Sequence, residues 1–314
     1  MIAFLFPGQG SQKVGMGKSL ADRFPIVRDA FAEADAALGE PLSRLCFEGP
    51  EEALTLTENT QPAILAMSVG VSRLLASQGI EPDFVAGHSL GEYSANVAAG
   101  TFGFADALRI VRRRGRFMQD AVPVGVGAMA AILGADADAV ARACAEAANG
   151  EIVAPANLNA PGQVVIAGHR DAVARAGERA KALGAKRVVP LNVSAPFHCA
   201  LMAPAEARLA PELRALAVSE PRVPVVANVD AEPKRSAAEA IEALVRQVSA
   251  PVRWDAVVRR LASSGVRTYV EVGPGAVLAG LVRKIDRGAR VVSVEDERGL
   301  TELAAAGLPV QDGS

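Results

Sequence analysis

The tightest constraint in this chain is a short apolar run, Phe84-Val85-Ala86, that passes directly into Gly87-His88-Ser89-Leu90-Gly91. A helix-forming segment follows over residues 92–99 and is closed by Gly100, where a left-handed C-terminal cap is expected. Strand, sharp turn and helix are the setting in which G-x-S-x-G forms a nucleophile elbow, with the serine strained and its hydroxyl exposed. Glycines two residues either side of Ser89 remove Cβ atoms that would collide across the turn. The competing reading is an ordinary glycine-rich turn between strand and helix; the setting favours a nucleophilic Ser89.

A parallel strand feeding a helix belongs to an α/β fold, and the composition agrees. Half of the 314 residues are hydrophobic but only 4% are aromatic, as in an Ala/Val/Leu-rich protein whose sheet is covered on both faces. The formal net charge of −2 gives no basic footprint for nucleic acid. No apolar run is long enough to span a bilayer. The chain begins Ile2-Ala3-Phe4-Leu5-Phe6 without the positive region of a secretion signal, so a cytoplasmic protein is expected. Cys46, Cys144 and Cys199 are widely spaced, form no metal or disulfide pattern, and read as small buried hydrophobes.

Residues 2–6 predict a first buried strand, ended by Pro7-Gly8-Gln9-Gly10-Ser11-Gln12. Gly8 and Gly10 suggest a dinucleotide fingerprint, but Lys13 stands where its third glycine belongs, so a pyrophosphate site is not supported. Helices are predicted over 18–24, 26–38 and 59–79, and again over 104–121. That last helix carries Arg109, Arg112, Arg113, Arg114 and Arg116, which cannot share one face at 100° per residue. Most should be solvated, but at least one must turn towards the apolar face of Ile110, Val111 and Phe117. Strands at 128–133, 152–156, 164–167 and 187–191, with helices at 136–148 and 171–183, give the order βαββαβ of a ferredoxin-like unit. The expected organisation is therefore a small subdomain, 124–194, inserted into a larger one formed by 1–123 and 195–314. Within the second part, helices are predicted at 204–216, 237–248, 254–264 and 277–285, and strands at 223–227, 269–272 and 291–294. From residue 301 a short helix and a frayed end are expected.

A serine hydroxyl needs a base, and only three histidines are available. His88 adjoins Ser89 and should point the other way, as a structural or pocket-lining residue. His169 lies inside the inserted unit. His198, in Pro196-Phe197-His198-Cys199, follows the nucleophile in the order that α/β-hydrolases require and is the best candidate. No acid outside the insertion suggests itself as its partner; a backbone carbonyl accepting the Nδ1 proton would serve equally.

Several motifs, in order, resemble the malonyl-CoA:acyl carrier protein transacylases. They are Phe6-Pro7-Gly8-Gln9-Gly10-Ser11-Gln12, Gly87 through Ser94, Arg114-Gly115, Asn157-x-Asn159-x-Pro161-Gly162-Gln163, His198, Gln247 ahead of Pro251-Val252-Arg253-Trp254, and Gly273-Pro274-Gly275. The likeness runs from about residue 1 to about residue 295 and implies an α/β-hydrolase-like large subdomain beside the ferredoxin-like one. It implies Ser89 as acylated nucleophile, His198 as base, and the N–H groups of Gln9 and Leu90 as oxyanion hole. Arg114 would pair with the malonyl carboxylate, and the main-chain carbonyl near Gln247 would orient His198, its side chain having no role. His88, Asn157 and Phe197 are expected to line the substrate pocket; a bulky Phe197 leaves little room for an α-methyl branch. Ala250, where a polar residue is commoner, and the tail beyond about Glu295 depart from the pattern.

The resemblance implies ping-pong transfer of malonyl from malonyl-CoA to the phosphopantetheine thiol of an acyl carrier protein, for fatty acid synthesis, by a monomer without cofactor or metal. Lys186, Arg187, Arg283, Lys284 and Arg287 would guide an acidic carrier. Alternatives are an acyltransferase serving a polyketide synthase or malonate decarboxylase and, in another class, a serine esterase or thioesterase. Arg114 discriminates against the last, since a simple acyl pocket needs no cation.

Overall fold

The computed structural model describes residues 1–308. Among the described residues ten strands form two sheets: β1 (Ile2–Phe6), β2 (Phe84–Gly87), β3 (Gly127–Leu133), β4 (Val153–Ala160), β5 (Gln163–His169), β6 (Arg187–Pro190), β7 (Val225–Val226), β8 (Pro233–Lys234), β9 (Thr268–Val272) and β10 (Arg290–Val294). The larger sheet has the order β10-β9-β1-β2-β7-β8 and is parallel except for the terminal β7–β8 pair. β1 and β2, apolar almost throughout, occupy its centre, where both faces are covered. Helix Thr57–Ser77 is buried on most sides and packs against helices Pro25–Leu38 and Phe104–Asp120 on one face of the sheet. On the other face, Trp254, Val257, Val258 and Leu261 close a second core with Ala3, Leu5 and Tyr269.

The smaller sheet, β4-β5-β3-β6, is antiparallel and carries helices Ala137–Ala147 and Arg170–Ala182. Ile132, Val140, Cys144, Ile166 and Ala176 form a core of its own between sheet and helices. Asp136 caps the first of these helices by accepting from the Ala139 N–H at 2.7 Å, which starts it where the sequence places it.

Some elements differ from expectation for identifiable reasons. β4 continues to Ala160 through Asn157 and Asn159, because register shifts after Pro155 and Leu158 keep it paired with β5. Two short helices, Leu42–Glu48 and Glu51–Leu54, fill a stretch where no element was expected, too brief to show a helical period between Gly39 and Leu56. The last helix, Glu297–Ala305, begins before residue 301 because Asp296 accepts from the Gly299 N–H at 3.0 Å. The frayed end expected after it lies outside the described residues.

Candidate active site

β2 delivers the elbow. Its last residue, Gly87, lies so close to the following helix, Gly91–Ala99, that a Cβ there would sit 1.9 Å from the Gly91 carbonyl carbon. A Cβ on Gly91 would in turn lie 2.0 Å from the Phe6 carbonyl oxygen, so both glycines are sterically required. Between them Ser89 adopts φ 53°, a left-handed conformation that costs on the order of 1–3 kcal/mol in a non-glycine residue. The strain projects Oγ into a cleft.

His198 completes the pair. Its Nε2 lies 2.6 Å from Ser89 Oγ, and its Nδ1 lies 3.0 Å from the Gln247 carbonyl oxygen. A carbonyl can only accept, so Nδ1 carries the proton and Nε2 presents its lone pair to the serine hydroxyl. Burial first, and then the Arg114 charge, pushes the imidazole down to about 3, so the ring is held neutral and ready to accept a proton. The acid that sequence reasoning could not find is not needed for this geometry.

Arg114 is 1% exposed. Its Nη1 donates to Gln61 Oε1 at 2.9 Å, and its Nη2 to Ser89 Oγ at 3.1 Å and Gln247 Oε1 at 3.0 Å. The guanidinium stands 5.3 Å from the Tyr93 ring centroid. Among the described residues no carboxylate forms an ion pair with it, and burial lowers its pKa. The five arginines of helix Phe104–Asp120 thus divide as their angular spread requires. Arg109, Arg113 and Arg116 are solvent-facing and paired with Asp106, Glu212 and Glu58, whereas Arg112 and Arg114 turn inward.

The cleft has a volume of about 710 Å³ and runs between the two sheets. Gln9, Leu90, His88, Asn157 and Phe197 all line it beside Ser89, Arg114 and His198. The Gln9 and Leu90 N–H groups make no hydrogen bond within the described protein; Leu90 opens a helix, where N–H groups face outward with partial positive charge. His88 turns its Nε2 to Asn159 Oδ1 at 2.9 Å and stacks obliquely near Trp254, away from Ser89 Oγ. His169 is remote: its Nδ1 accepts from the Ile152 N–H at 2.9 Å inside the small sheet.

One expectation needs correcting. The Gln247 side chain is fully buried and engaged, donating from Nε2 to the Ser89 carbonyl and to Glu92 Oε2, both at 2.8 Å, while its Oε1 accepts from Arg114. Sequence reasoning also missed Gln61, Glu92 and Asn228. Asn228 Oδ1 accepts from the Ser89 N–H at 2.8 Å, and its Nδ2 donates to the Gly87 carbonyl at 2.7 Å. The available signal was a polar residue, Gln61, inside a helix otherwise reading as buried.

Among the described residues there is no group of three or more His, Cys, Asp or Glu side chains arranged to hold a metal, and no helix is long and apolar enough to cross a membrane.

A family described as "Acyl transferase domain" matches residues 3–299. A malonyl CoA-acyl carrier protein transacylase of Salmonella typhimurium is 55% identical over 284 residues, covering 90% of this chain and 92% of its own length. The Bacillus subtilis protein of the same name is 50% identical over 296 residues, covering 94% and 93%. Among solved structures, an acyl carrier protein S-malonyltransferase from Vibrio cholerae superposes with a TM-score of 0.94 at 48% identity, covering 96% of this chain and 99% of that one. A malonyl-transacylase in complex with a type II PKS acyl-carrier protein superposes at 0.95 with 49% identity, covering 97% and 99%. With an elbow serine, a carbonyl-oriented histidine and a buried arginine in one cleft, and with likeness of this extent, the chain belongs to the acyl transferase family, among its malonyl-CoA:acyl carrier protein transacylases.

Proposed function

We propose that the protein transfers malonyl from malonyl-CoA to the phosphopantetheine thiol of an acyl carrier protein through an ester on Ser89. The observation that carries this reading is Arg114: a buried cation, 3.1 Å from Ser89 Oγ, with amides, a hydroxyl and an aromatic ring around it but no carboxylate paired to it. A guanidinium in that position lacks the counter-ion that a malonyl carboxylate supplies, and its planar fork orients that carboxylate as well as neutralising it.

His198 Nε2 takes the Ser89 proton as Oγ attacks the thioester carbonyl. The Gln9 and Leu90 N–H groups receive the developing oxyanion; a donor of this kind typically contributes about 100- to 1000-fold in rate. As the tetrahedral intermediate collapses, the C–S bond breaks and His198 returns its proton to the departing CoA thiolate. The carrier's thiol then enters, gives its proton to His198, attacks the malonyl ester, and Ser89 leaves reprotonated. Every step is a proton or acyl transfer that Ser89, His198 and backbone donors supply, so the reaction calls for no cofactor. Phe197, at the cleft wall, restricts the α-carbon, and His88 and Asn157 line the acyl and thioester path. Supply of fatty acid synthesis in the cytoplasm is the matching cellular role; a polyketide carrier would be served by the same chemistry.

The test is intact-mass measurement after incubation with malonyl-CoA. A malonyl adduct on the Ser89 peptide, discharged by a phosphopantetheinylated carrier protein, is expected. Rapid release of free malonate with no transfer to the carrier would assign the site to hydrolysis instead, and an adduct on another residue would overturn the nucleophile.

A further inference from the structure

Glu92 is a carboxylate in the interior of the larger subdomain, 1% exposed, in the first turn of the elbow helix, and the reaction above does not use it. Its Oε2 accepts from two donors, the Asn228 N–H at 3.0 Å and Gln247 Nε2 at 2.8 Å. The second bond fixes the polarity of the Gln247 amide. The groups that meet Nε2, the Glu92 carboxylate, the Ser89 carbonyl and, at 3.5 Å, Asn228 Oδ1, are all acceptors here, so the NH2 end must face them. Oε1 is then left facing Arg114 Nη2, 3.0 Å away. On its other arm Arg114 donates to Gln61 Oε1 at 2.9 Å.

From this chain of contacts we propose that Glu92 is a positioning residue for acyl-group selection: through the Gln247 side chain it holds the Arg114 guanidinium in register with Ser89. The proposal rests on the malonyl-transfer reading and extends it. Burying a carboxylate among neutral partners is costly unless its hydrogen bonds are used. Burial pushes Glu92 up to about 7, and its hydrogen bonds to Gln247 and Asn228 work against that shift. The same amide residue serves two functions by two routes. Its carbonyl orients the base, and its side chain, set by Glu92, orients the specificity cation. Loss of Glu92 should therefore damage the second function and spare the first.

The experiment compares kcat/KM for malonyl-CoA and acetyl-CoA in wild type, R114A, E92M, E92Q, Q247M and the E92M/Q247M double variant, with thermal midpoints recorded. Methionine fills the space with no more than a weak thioether acceptor, and Q247M keeps the backbone carbonyl on His198. E92M and Q247M should each lower the malonyl-to-acetyl ratio about 10- to 100-fold, the scale of misplacing a reacting partner by about 1 Å. Acetyl transfer by E92M should stay within about threefold, whereas Q247M, which also loses its bond to the Ser89 carbonyl, is read through the ratio alone; E92Q, whose amide oxygen can accept from the same donors, should stay near wild type. The double variant should be no worse than Q247M alone, because Glu92 acts through Gln247. Equal losses for both substrates, a wild-type ratio in E92M, or losses that multiply in the double variant would overturn the relay. Should E92M not fold, Q247M still decides, since a wild-type ratio there leaves Glu92 nothing to act through. A wild type without malonyl preference, or an R114A without effect on it, would count against malonyl transfer itself. Normal R114A behaviour with an unchanged ratio in Q247M counts against the relay alone.

Discussion

Arg112 and Arg114 leave the same helix two residues apart, and both are withdrawn from solvent, at 8% and 1% exposure. Around Arg112 the fold provides a counter-ion: Glu40 Oε2 lies 3.0 Å from Nη2, and Asn59 Oδ1 accepts from Nη1 at 2.9 Å. Around Arg114 it provides two amide oxygens, a serine hydroxyl and a ring face. A buried cation with its carboxylate in place is satisfied and structural. One surrounded by neutral acceptors, with Glu92 reaching it only through Gln247, has no directly paired counter-ion, and it binds what supplies one. The difference lies in the surroundings, and it separates scaffold from site on a single helix.

The largest effect sets the floor for that contrast. Ser89→Ala should lower transfer by about 10⁴-fold or more and abolish the adduct, with His198→Ala close behind, since nucleophile and base act as a unit. A Ser89→Ala protein that still accumulates the adduct would remove Arg114 from the reacting centre.

Next in size is the contrast itself. Truncating one member of a buried charge pair costs about 2–5 kcal/mol, so Arg114→Ala should lose roughly 30- to several-thousand-fold in malonyl kcat/KM while acetyl transfer holds or improves. Arg112→Ala should leave the malonyl-to-acetyl ratio unchanged and lower the thermal midpoint by a few degrees, as expected for about 1–2 kcal/mol. Matching kinetic losses in the two variants would erase the distinction between them.

A smaller effect sharpens it through pH. His198 is held down near 3 by burial, with Arg114 as the next contribution. Because the neutral ring is the base, a depressed pKa keeps the active form populated to lower pH. The acid limb of kcat/KM, which reports the free enzyme, should fall well below the ordinary histidine value of about 6.5. Arg114→Ala should move that limb upward, since a positive charge that opposes protonation is gone; Arg112→Ala should not. A wild-type limb at about 6.5 would mean that His198 is not the buried base described.

Legibility in the sequence follows the same division between strict and ordinary requirements. The elbow could be read because two glycines, a serine and a strand are sterically obligatory at fixed spacing, and close packing at Gly87 and Gly91 bears this out. The ferredoxin-like unit could be read because six elements alternate with clear periods, although the bulged end of β4 looks like a turn in the letters alone. His198 emerged by elimination among three histidines. Which arginine turns inward could not be settled by the helical period, which only required that one must; the resemblance pointed to Arg114. Glu92, Asn228, Gln61 and the Gln247 side chain stayed hidden. Each is a common polar residue in an ordinary position, and its importance comes from neighbours 53 to 158 residues away in the chain.

The smallest expected effect concerns a third kind of cation, unpaired but exposed. Lys186, Arg187, Arg283, Lys284 and Arg287 all face solvent, and none has an ion-pair partner among the described residues, whereas most other exposed arginines do. Three of them meet at one end of the small sheet. Arg187 lies opposite Leu133, Leu133 opposite Gln163, and Lys284 donates to Gln163 Oε1 at 2.9 Å. Arg114 reads one carboxylate in a closed cleft, where salt screens little; this patch would read the summed charge of an acidic carrier through water, where the Debye length is about 8 Å at physiological ionic strength. Its contribution should therefore appear in the carrier half-reaction alone and fade as salt rises. Reversing Lys186, Arg187 and Lys284 to glutamate should raise KM for the carrier about tenfold at low salt, one decade for roughly 1.4 kcal/mol, and leave Ser89 malonylation within about twofold. At high salt the variant and wild type should converge. Equal slowing of both half-reactions, or a carrier rate in the wild type that ignores salt, would show that these unpaired charges are solvated surface and that Arg114 alone reads charge in this protein.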